Sequence, residues 1–310
     1  MNNSPIIPPI AIEELEAELT PDRLLRHTNK GGNLIYIIDH RNAPAVMKEV
    51  GRLREITFRC AGGGTGKDCD IDMFDVMDPP CKQLIVWDPD AKLILGGYRY
   101  IAGKDIRINA DGTPRIATSH MFNFSPVFLS EYLPKTIELG RSFVRMEYQS
   151  SRANAKAIYA LDNLWDGLGA LTVVHPEIEY LFGKMTMYPN YSHEGRNMIL
   201  YFLNKYFPDP DRLVWPIHAL DTHIDTAKLD KMFCGHSFKE DYRILNSAIR
   251  GMGYNIPPLV NAYMSLSPTM RMFGTAINDE FGDVEETGIF FTIKEIFEEK
   301  KQRHIVTYNP

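Results

Sequence analysis

Thr136-Ile137-Glu138-Leu139-Gly140-Arg141-Ser142-Phe143-Val144 decides how this chain is read. It is a short apolar strand interrupted by an acid, a glycine and a guanidinium. In a regular strand Glu138 and Arg141 point to opposite faces. A bulge around Leu139-Gly140, eased by the glycine, would bring both toward one face. Upstream lies an acidic cluster, Asp70-Ile71-Asp72-Met73-Phe74-Asp75. Two strands follow, residues 82–87 and 91–101, joined as a hairpin by the Asp88-Pro89-Asp90 turn. The second carries Gly96-Gly97-Tyr98-Arg99-Tyr100. Carboxylates and arginines at the ends of short apolar strands describe a pocket for a charged, amino-acid-sized molecule.

Around this centre the pattern predicts a strand at residues 33–39. A helix opens after Asn42, its plausible cap, with Pro44 in the first turn, and runs to about Cys60. Residues 102–135 read as an irregular, aromatic-rich connection. The strongest helical periodicity spans 155–174, a core helix through Leu161, Leu164, Trp165 and Leu168. A strand at 180–188, helices at 197–207 and 241–249 and a late strand at 288–296 complete the reading. The expected organisation is an N-terminal arm (1–30), a core (31–206), an insertion or loop region (207–240) and a C-terminal segment packing on the core (241–310). Strands alternating with helices imply an α/β fold whose mixed sheet has antiparallel and parallel neighbours.

The composition narrows the function. With 34 basic and 40 acidic residues the net charge is -6, so nothing favours general phosphate neutralisation on nucleic acid or broad adhesion to anionic lipid. Cys60, Cys69, Cys81 and Cys234 include no Cys-x-x-Cys pair, so free thiols in a reducing cytoplasm are expected and no metal site. Residues 1–9 lack a signal-peptide pattern, and no apolar run approaches the roughly 18 residues that span a bilayer. The expected location is cytoplasmic, at most peripheral at the inner face of the membrane. Ala61-Gly62-Gly63-Gly64-Thr65-Gly66-Lys67-Asp68 is not a phosphate loop, because Ala61 and Asp68 replace the required Gly and Ser or Thr. It reads as a surface loop. The His236 to Asp241 spacing of glycerolipid O-acyltransferases lacks its flanking residues and reads as chance.

Arg54-x-x-x-Phe58, Asp70-x-Asp72-x-x-Asp75, Gly96-Gly97-Tyr98-Arg99 and Glu138-x-x-Arg141 occur in that order. The run resembles the acyl-homoserine-lactone synthases, GNAT-fold enzymes that use acyl carrier protein thioesters. It is more similar to the ornithine-lipid and glycine-lipid N-acyltransferases, often labelled hemolysin-like. The run from Cys81 through Leu84-Ile85-Val86 to Asp88, then Leu164-Trp165-Asp166-Gly167, Leu181-Phe182-Gly183 and Asn278-Asp279-Glu280-Phe281-Gly282-Asp283, extends that likeness.

The resemblance implies a GNAT-like mixed sheet flanked by helices. It also implies transfer of a 3-hydroxylated acyl chain from acyl carrier protein to the α-amine of a glycine- or ornithine-type amino acid. No pyrophosphate loop of the CoA-using kind follows Val144, which favours the carrier-protein donor, with acyl-CoA left open and no bound cofactor expected. Arg152 is the candidate for the phosphate of a phosphopantetheine arm. The partners implied are acyl carrier protein, the small acceptor and, next in such a pathway, an O-acyltransferase.

An attacking amine must lose a proton, and a partly buried carboxylate can take it; Glu138 is the candidate base. Arg141 or Arg99 offers a guanidinium fork for the acceptor's carboxylate. Asp70, Asp72 and Asp75 either contact substrate or form an ion-pair network with Arg54 and Arg99. Arg54 and Phe58 shape the acyl entrance. The competing readings are an acyl-homoserine-lactone-type signal synthase using S-adenosylmethionine and a non-catalytic lipid- or protein-binding module.

Overall fold

The computed structural model describes residues 4–149 and 157–309. The first half runs α1 (Ile12–Glu18), β1 (Leu24–His27), β2 (Leu34–Ile38), α2 (Pro44–Ala61), α3 (Met73–Val76), β3 (Lys82–Asp88), β4 (Leu93–Ala102), β5 (Phe122–Phe124) and β6 (Thr136–Val144). The second runs α4 (Ala157–Val174), β7 (Tyr180–Met187), α5 (His193–Tyr206), β8 (Val214–Pro216), α6 (Thr226–Met232), α7 (Phe238–Gly251), α8 (Pro258–Met264), β9 (Arg271–Asn278), β10 (Val284–Thr292) and α9 (Glu298–His304).

Eight strands make one sheet in the order β1-β2-β3-β4-β6-β7-β10-β9, and β5 pairs with β8 separately. The central strands are apolar on both sides because both faces are covered. Leu84, Val86, Tyr98 and Tyr100 pack toward Leu164 and Leu168 of α4. Ile85, Trp87 and Ile94 pack toward Val46, Val50 and Leu53 of α2. Phe128, Phe182, Phe273 and Phe290 form a third, aromatic cluster.

Neighbours in the large sheet are antiparallel except β6 and β7, which run parallel and pair only through Thr136–Tyr180, Ile137–Leu181 and Glu138–Phe182. Beyond that point the two strands diverge. This fork is what the fold contributes to the site.

Several local expectations shift. Glu18, not Asn42, caps α2: its carboxylate accepts from the N–H groups of Ala45 (3.1 Å) and Val46 (2.9 Å). Asn42 instead accepts from the Asp39 N–H. The start of α5 lies at His193, where the Ser192 hydroxyl accepts from the Gly195 N–H. Ser237 likewise starts α7 ahead of the expected helix. The late strand is Val284–Thr292, ending where residues 293–295 turn into a single 3₁₀ turn.

Residues 207–240 hold β8 and α6, and residues 1–30 supply α1 and the edge strand β1. These short pieces have no strong period of their own; pairing with neighbours makes them regular. The glycine-rich loop is ordered too. Glu55 accepts from the N–H groups of Thr65 (3.1 Å) and Gly66 (2.9 Å) and from the Thr65 hydroxyl (2.7 Å), so the chain's own carboxylate fills this nest of amides. Among the described residues no helix is long and apolar enough to cross a membrane.

Candidate active site

The acidic cluster does two jobs. The Asp72 side chain accepts from the N–H groups of Phe74 and Asp75, and Asp75 accepts from the Asp72 N–H, a capping box that starts α3. The same carboxylates face guanidinium groups. Arg54 on α2 is fully buried, with Nε 3.1 Å from Asp70, Nη2 2.8 Å from Asp75 and Nη1 3.2 Å from Gln83. Arg99 on β4 sits 2.7 Å from Asp72 and 3.3 Å from Asp75. Arg141 completes the lattice at 2.9 Å from Asp70 and 3.4 Å from Asp72, its guanidinium 4.2 Å from the centre of the Phe281 ring. Three acids and three arginines therefore alternate. Burial alone would raise the carboxyl groups of Asp72 and Asp75, but the adjacent guanidiniums hold both below their ordinary value.

A bulge in β6 brings Arg141 into this lattice. Arg99 pairs with Gly140 and Gly97 with Phe143, so Arg141 and Ser142 together face Tyr98. The bulge lies two residues beyond the expected place, at Arg141-Ser142 rather than Leu139-Gly140. Arg141 itself, with φ +47°, takes the left-handed conformation, and a side chain at Gly140 would meet open space. The consequence is nonetheless the one sought: Glu138, Arg141 and Arg99 lie on one face of the sheet.

Glu138 is buried opposite Ile101 and Phe182, and its carboxylate accepts from the Thr118 N–H (3.1 Å) and hydroxyl (3.0 Å). Burial pushes its pKa up, against the pull of Arg99, the Thr118 hydrogen bonds and Lys184. It is the acid that the lattice leaves unbalanced.

Where β6 and β7 part, a cavity of about 460 Å³ opens. A Cβ on Gly183 would lie 3.0 Å from the Leu139 carbonyl oxygen, so the glycine permits the close approach at the base of the fork. One end of the cavity is lined by Phe58, Arg141, Phe281, Lys184 and Glu286. The other is lined by Tyr98, Trp165, Leu168, Tyr263, Leu266 and Phe291 from the opposite face. The cavity thus passes through the sheet, joining a charged wall to an apolar one. Its volume lies in the range of small-molecule sites, about 300–1,000 Å³.

Of the residues singled out in the sequence, Phe58 and Arg141 line this cavity. Arg54, expected to shape the acyl entrance, is instead fully buried in the lattice with Asp70, Asp72, Asp75 and Arg99, because its charge needs those carboxylates; Glu138 sits beside the lattice at the start of the fork. Arg152 lies outside the described residues. Asp241, from the O-acyltransferase-like spacing, is occupied by Lys205 (2.7 Å), Tyr206 (2.6 Å) and the Gly235 N–H (2.7 Å). Sequence reasoning missed Lys184 and Glu286, a buried ion pair on the cavity wall, and Thr118, which holds Glu138. The signal available was a lone lysine in an otherwise apolar strand, Leu181-Phe182-Gly183-Lys184-Met185.

Residues 53–158 match the model of an acetyltransferase (GNAT) domain. The chain is 63% identical over 303 residues to the glycine N(alpha)-acyltransferase of Phocaeicola vulgatus, covering 98% of this chain and 93% of that protein. It is 64% identical over 303 residues to the glycine N(alpha)-acyltransferase of Bacteroides thetaiotaomicron, covering 98% and 90%. Among solved structures it is similar to the acyl-homoserine-lactone synthase LasI (TM-score 0.39, 10% identity, 91% of this chain and 98% of that one). It is also similar to FeeM, an N-acyl amino acid synthase from uncultured soil microbes (TM-score 0.36, 9% identity, 85% and 93%).

Proposed function

This chain belongs to the glycine N(alpha)-acyltransferase family, and on that premise we propose that it transfers a 3-hydroxylated fatty acyl chain from acyl carrier protein to the amine of glycine. The observation that carries the reading is the fork between β6 and β7, which joins a charged wall to an apolar wall in one cavity. An acyl thioester fits with its chain against Trp165, Leu168 and Tyr263. The zwitterionic acceptor belongs on the side of Arg141.

In this mechanism the glycine ammonium loses a proton to Glu138 through one intervening water, since Glu138 is set back from the cavity wall. A carboxylate whose pKa is raised toward neutrality is suited to that transfer. The amine nitrogen then attacks the thioester carbonyl. Backbone N–H groups on the cleft edge of β6 beyond Glu138, where pairing with β7 has ended, face the developing oxyanion. The C–S bond breaks as the amide forms; the nitrogen sheds its second proton, which passes to the departing thiolate, and the first proton leaves Glu138 for water.

The Arg54, Arg99 and Arg141 lattice with Asp70, Asp72 and Asp75 fixes the floor of the site, and Phe58 shapes the entrance. Arg152 is the residue we assign to the pantetheine phosphate. Residues 31–206 supply Glu138 and the ion-pair lattice in this reading, residues 241–310 line both ends of the cavity through Phe281 and Glu286 and through Tyr263, Leu266 and Phe291, and residues 207–240 are an insertion. We place the protein in the cytoplasm, peripheral to the membrane its product enters, with an O-acyltransferase acting next.

The test is direct. Purified protein is incubated with isotopically labelled glycine and 3-hydroxypalmitoyl-acyl carrier protein, and separately with the CoA thioester. Mass spectrometry should detect N-(3-hydroxypalmitoyl)glycine from the carrier-protein donor. Product from ornithine but not glycine, or from neither donor, would overturn the assignment.

A further inference from the structure

Lys184 and Glu286 form an ion pair across the β7–β10 ladder, with the lysine side chain 8% and the glutamate side chain 3% exposed. A buried ion pair is costly in desolvation and is often less stabilising than apolar residues of the same volume. A purely structural role is therefore a poor account of it, and its place on the cavity wall offers a better one.

The neighbouring cations are committed. Arg99 is shared between Asp72 and Asp75, and Arg141 between Asp70 and Asp72, so the charge of each guanidinium is already balanced by two carboxylates. Lys184 differs: among the described residues it pairs with the single carboxylate of Glu286, and an ammonium carries three donors. Glu286 is in turn held by the Thr186 hydroxyl at 3.3 Å. Lys184 lies two residues beyond Phe182, the β7 partner of Glu138, and so on the same face of the sheet. An ammonium and a carboxylate thus share one face of the sheet near the start of the fork, suited to the two ends of a small amino acid.

We propose that Lys184 anchors the carboxylate of the amino-acid acceptor, with Glu286 fixing the lysine ammonium in place. Lys184 then touches substrate, and Glu286 is a positioning residue. The acceptor's amine is left facing Glu138 and the thioester. This assignment rests on the reading that the cavity acylates an amino acid.

The experiment compares glycine with glycinamide, which keeps the amine and lacks the carboxylate. Both are run with the same acyl-carrier-protein donor, in wild type, Lys184→Met, Lys184→Arg and the charge-free pair Lys184→Met with Glu286→Gln. The two amines differ in basicity, but that difference is common to every variant. A ratio taken within one preparation is also independent of its folded fraction. The wild type should favour glycine by kcat/KM, and Lys184→Met should raise KM for glycine about 10- to 100-fold, the worth of one hydrogen bond to a charged group. Its kcat and its KM for the donor should stay within a few-fold, its glycine preference should vanish, and Lys184→Arg should restore part of it.

Should Lys184→Met fail to fold, the double variant supplies the same ratio without an unpaired buried carboxylate. A preference for glycine retained in either variant overturns the proposal, as does equal loss of turnover with both amines. Failure of the wild type to acylate glycine at all would instead overturn the functional reading beneath it.

Discussion

The two ends of the cavity solve the problem of burial in opposite ways. On the α2 side three arginines and three aspartates, four of them buried and Asp72 and Arg141 partly so, neutralise one another almost contact for contact. On the α4 and α8 side the wall is Trp165, Leu168, Tyr263, Leu266 and Phe291, with no charge to compensate. The difference teaches where chemistry can sit. A closed lattice provides rigidity, because each ion is worth keeping only with its partners in place. An apolar wall provides affinity for a chain in proportion to its buried length, about 0.8 kcal/mol per CH₂. What remains is the seam between them, and there Glu138, Lys184 and Glu286 stand outside the balanced set.

The strongest break of this contrast is at the seam. Glu138→Gln keeps the shape and both Thr118 contacts within reach but removes the proton acceptor, and kcat should fall about 10²- to 10⁴-fold. In the wild type, kcat/KM should drop as pH falls through the pKa of Glu138, which burial places above its ordinary 4.5. The active form is the carboxylate, so protonation on the acid side removes the base. A pH–rate profile of Glu138→Gln lacking that limb would confirm the assignment, and an unchanged limb would reject it.

Breaking the lattice should cost stability. Arg54→Met leaves Asp70 and Asp75 buried without their main partner and should destabilise the fold by about 3–5 kcal/mol in urea unfolding. The folded-state pKa of Asp75 is depressed, so its contribution is present above the unfolded value of 3.8 and is lost as pH falls toward the folded one. The acid-side decline of stability should therefore be shallower in Arg54→Met than in the wild type.

The smallest effect is expected on the apolar wall. Leu168→Trp adds volume without charge; the fold should lose about 1–3 kcal/mol from overpacking, read by thermal melting. Competition between acyl donors of graded length should shift toward shorter chains. A destabilisation as large as that of Arg54→Met would show that the two ends are not built on different principles.

How much of this was legible beforehand depends on the kind of information each residue carries. The order of motifs, the hairpin at Asp88-Pro89-Asp90 and the α4 periodicity pointed to the fold, because each rests on local propensity or on period. The β6 bulge could be argued from geometry, though Arg141 rather than Gly140 takes the unusual φ. The Asp72 and Asp75 spacing held two meanings at once, and the capping box was the one overlooked. Lys184 and Glu286 were invisible because their pairing spans 102 residues of chain, the difference of their positions, and is created by a strand neighbour.

By itself the amino-acid order determined the family, the mixed sheet and the charged residues near its centre, since these follow from short stretches read in sequence. Only the tertiary structure decided which of those charges neutralise one another and which remain available at the fork. Burial and pairing depend on distances between segments remote in the chain, and the energy of a charge is set by that surrounding rather than by its identity.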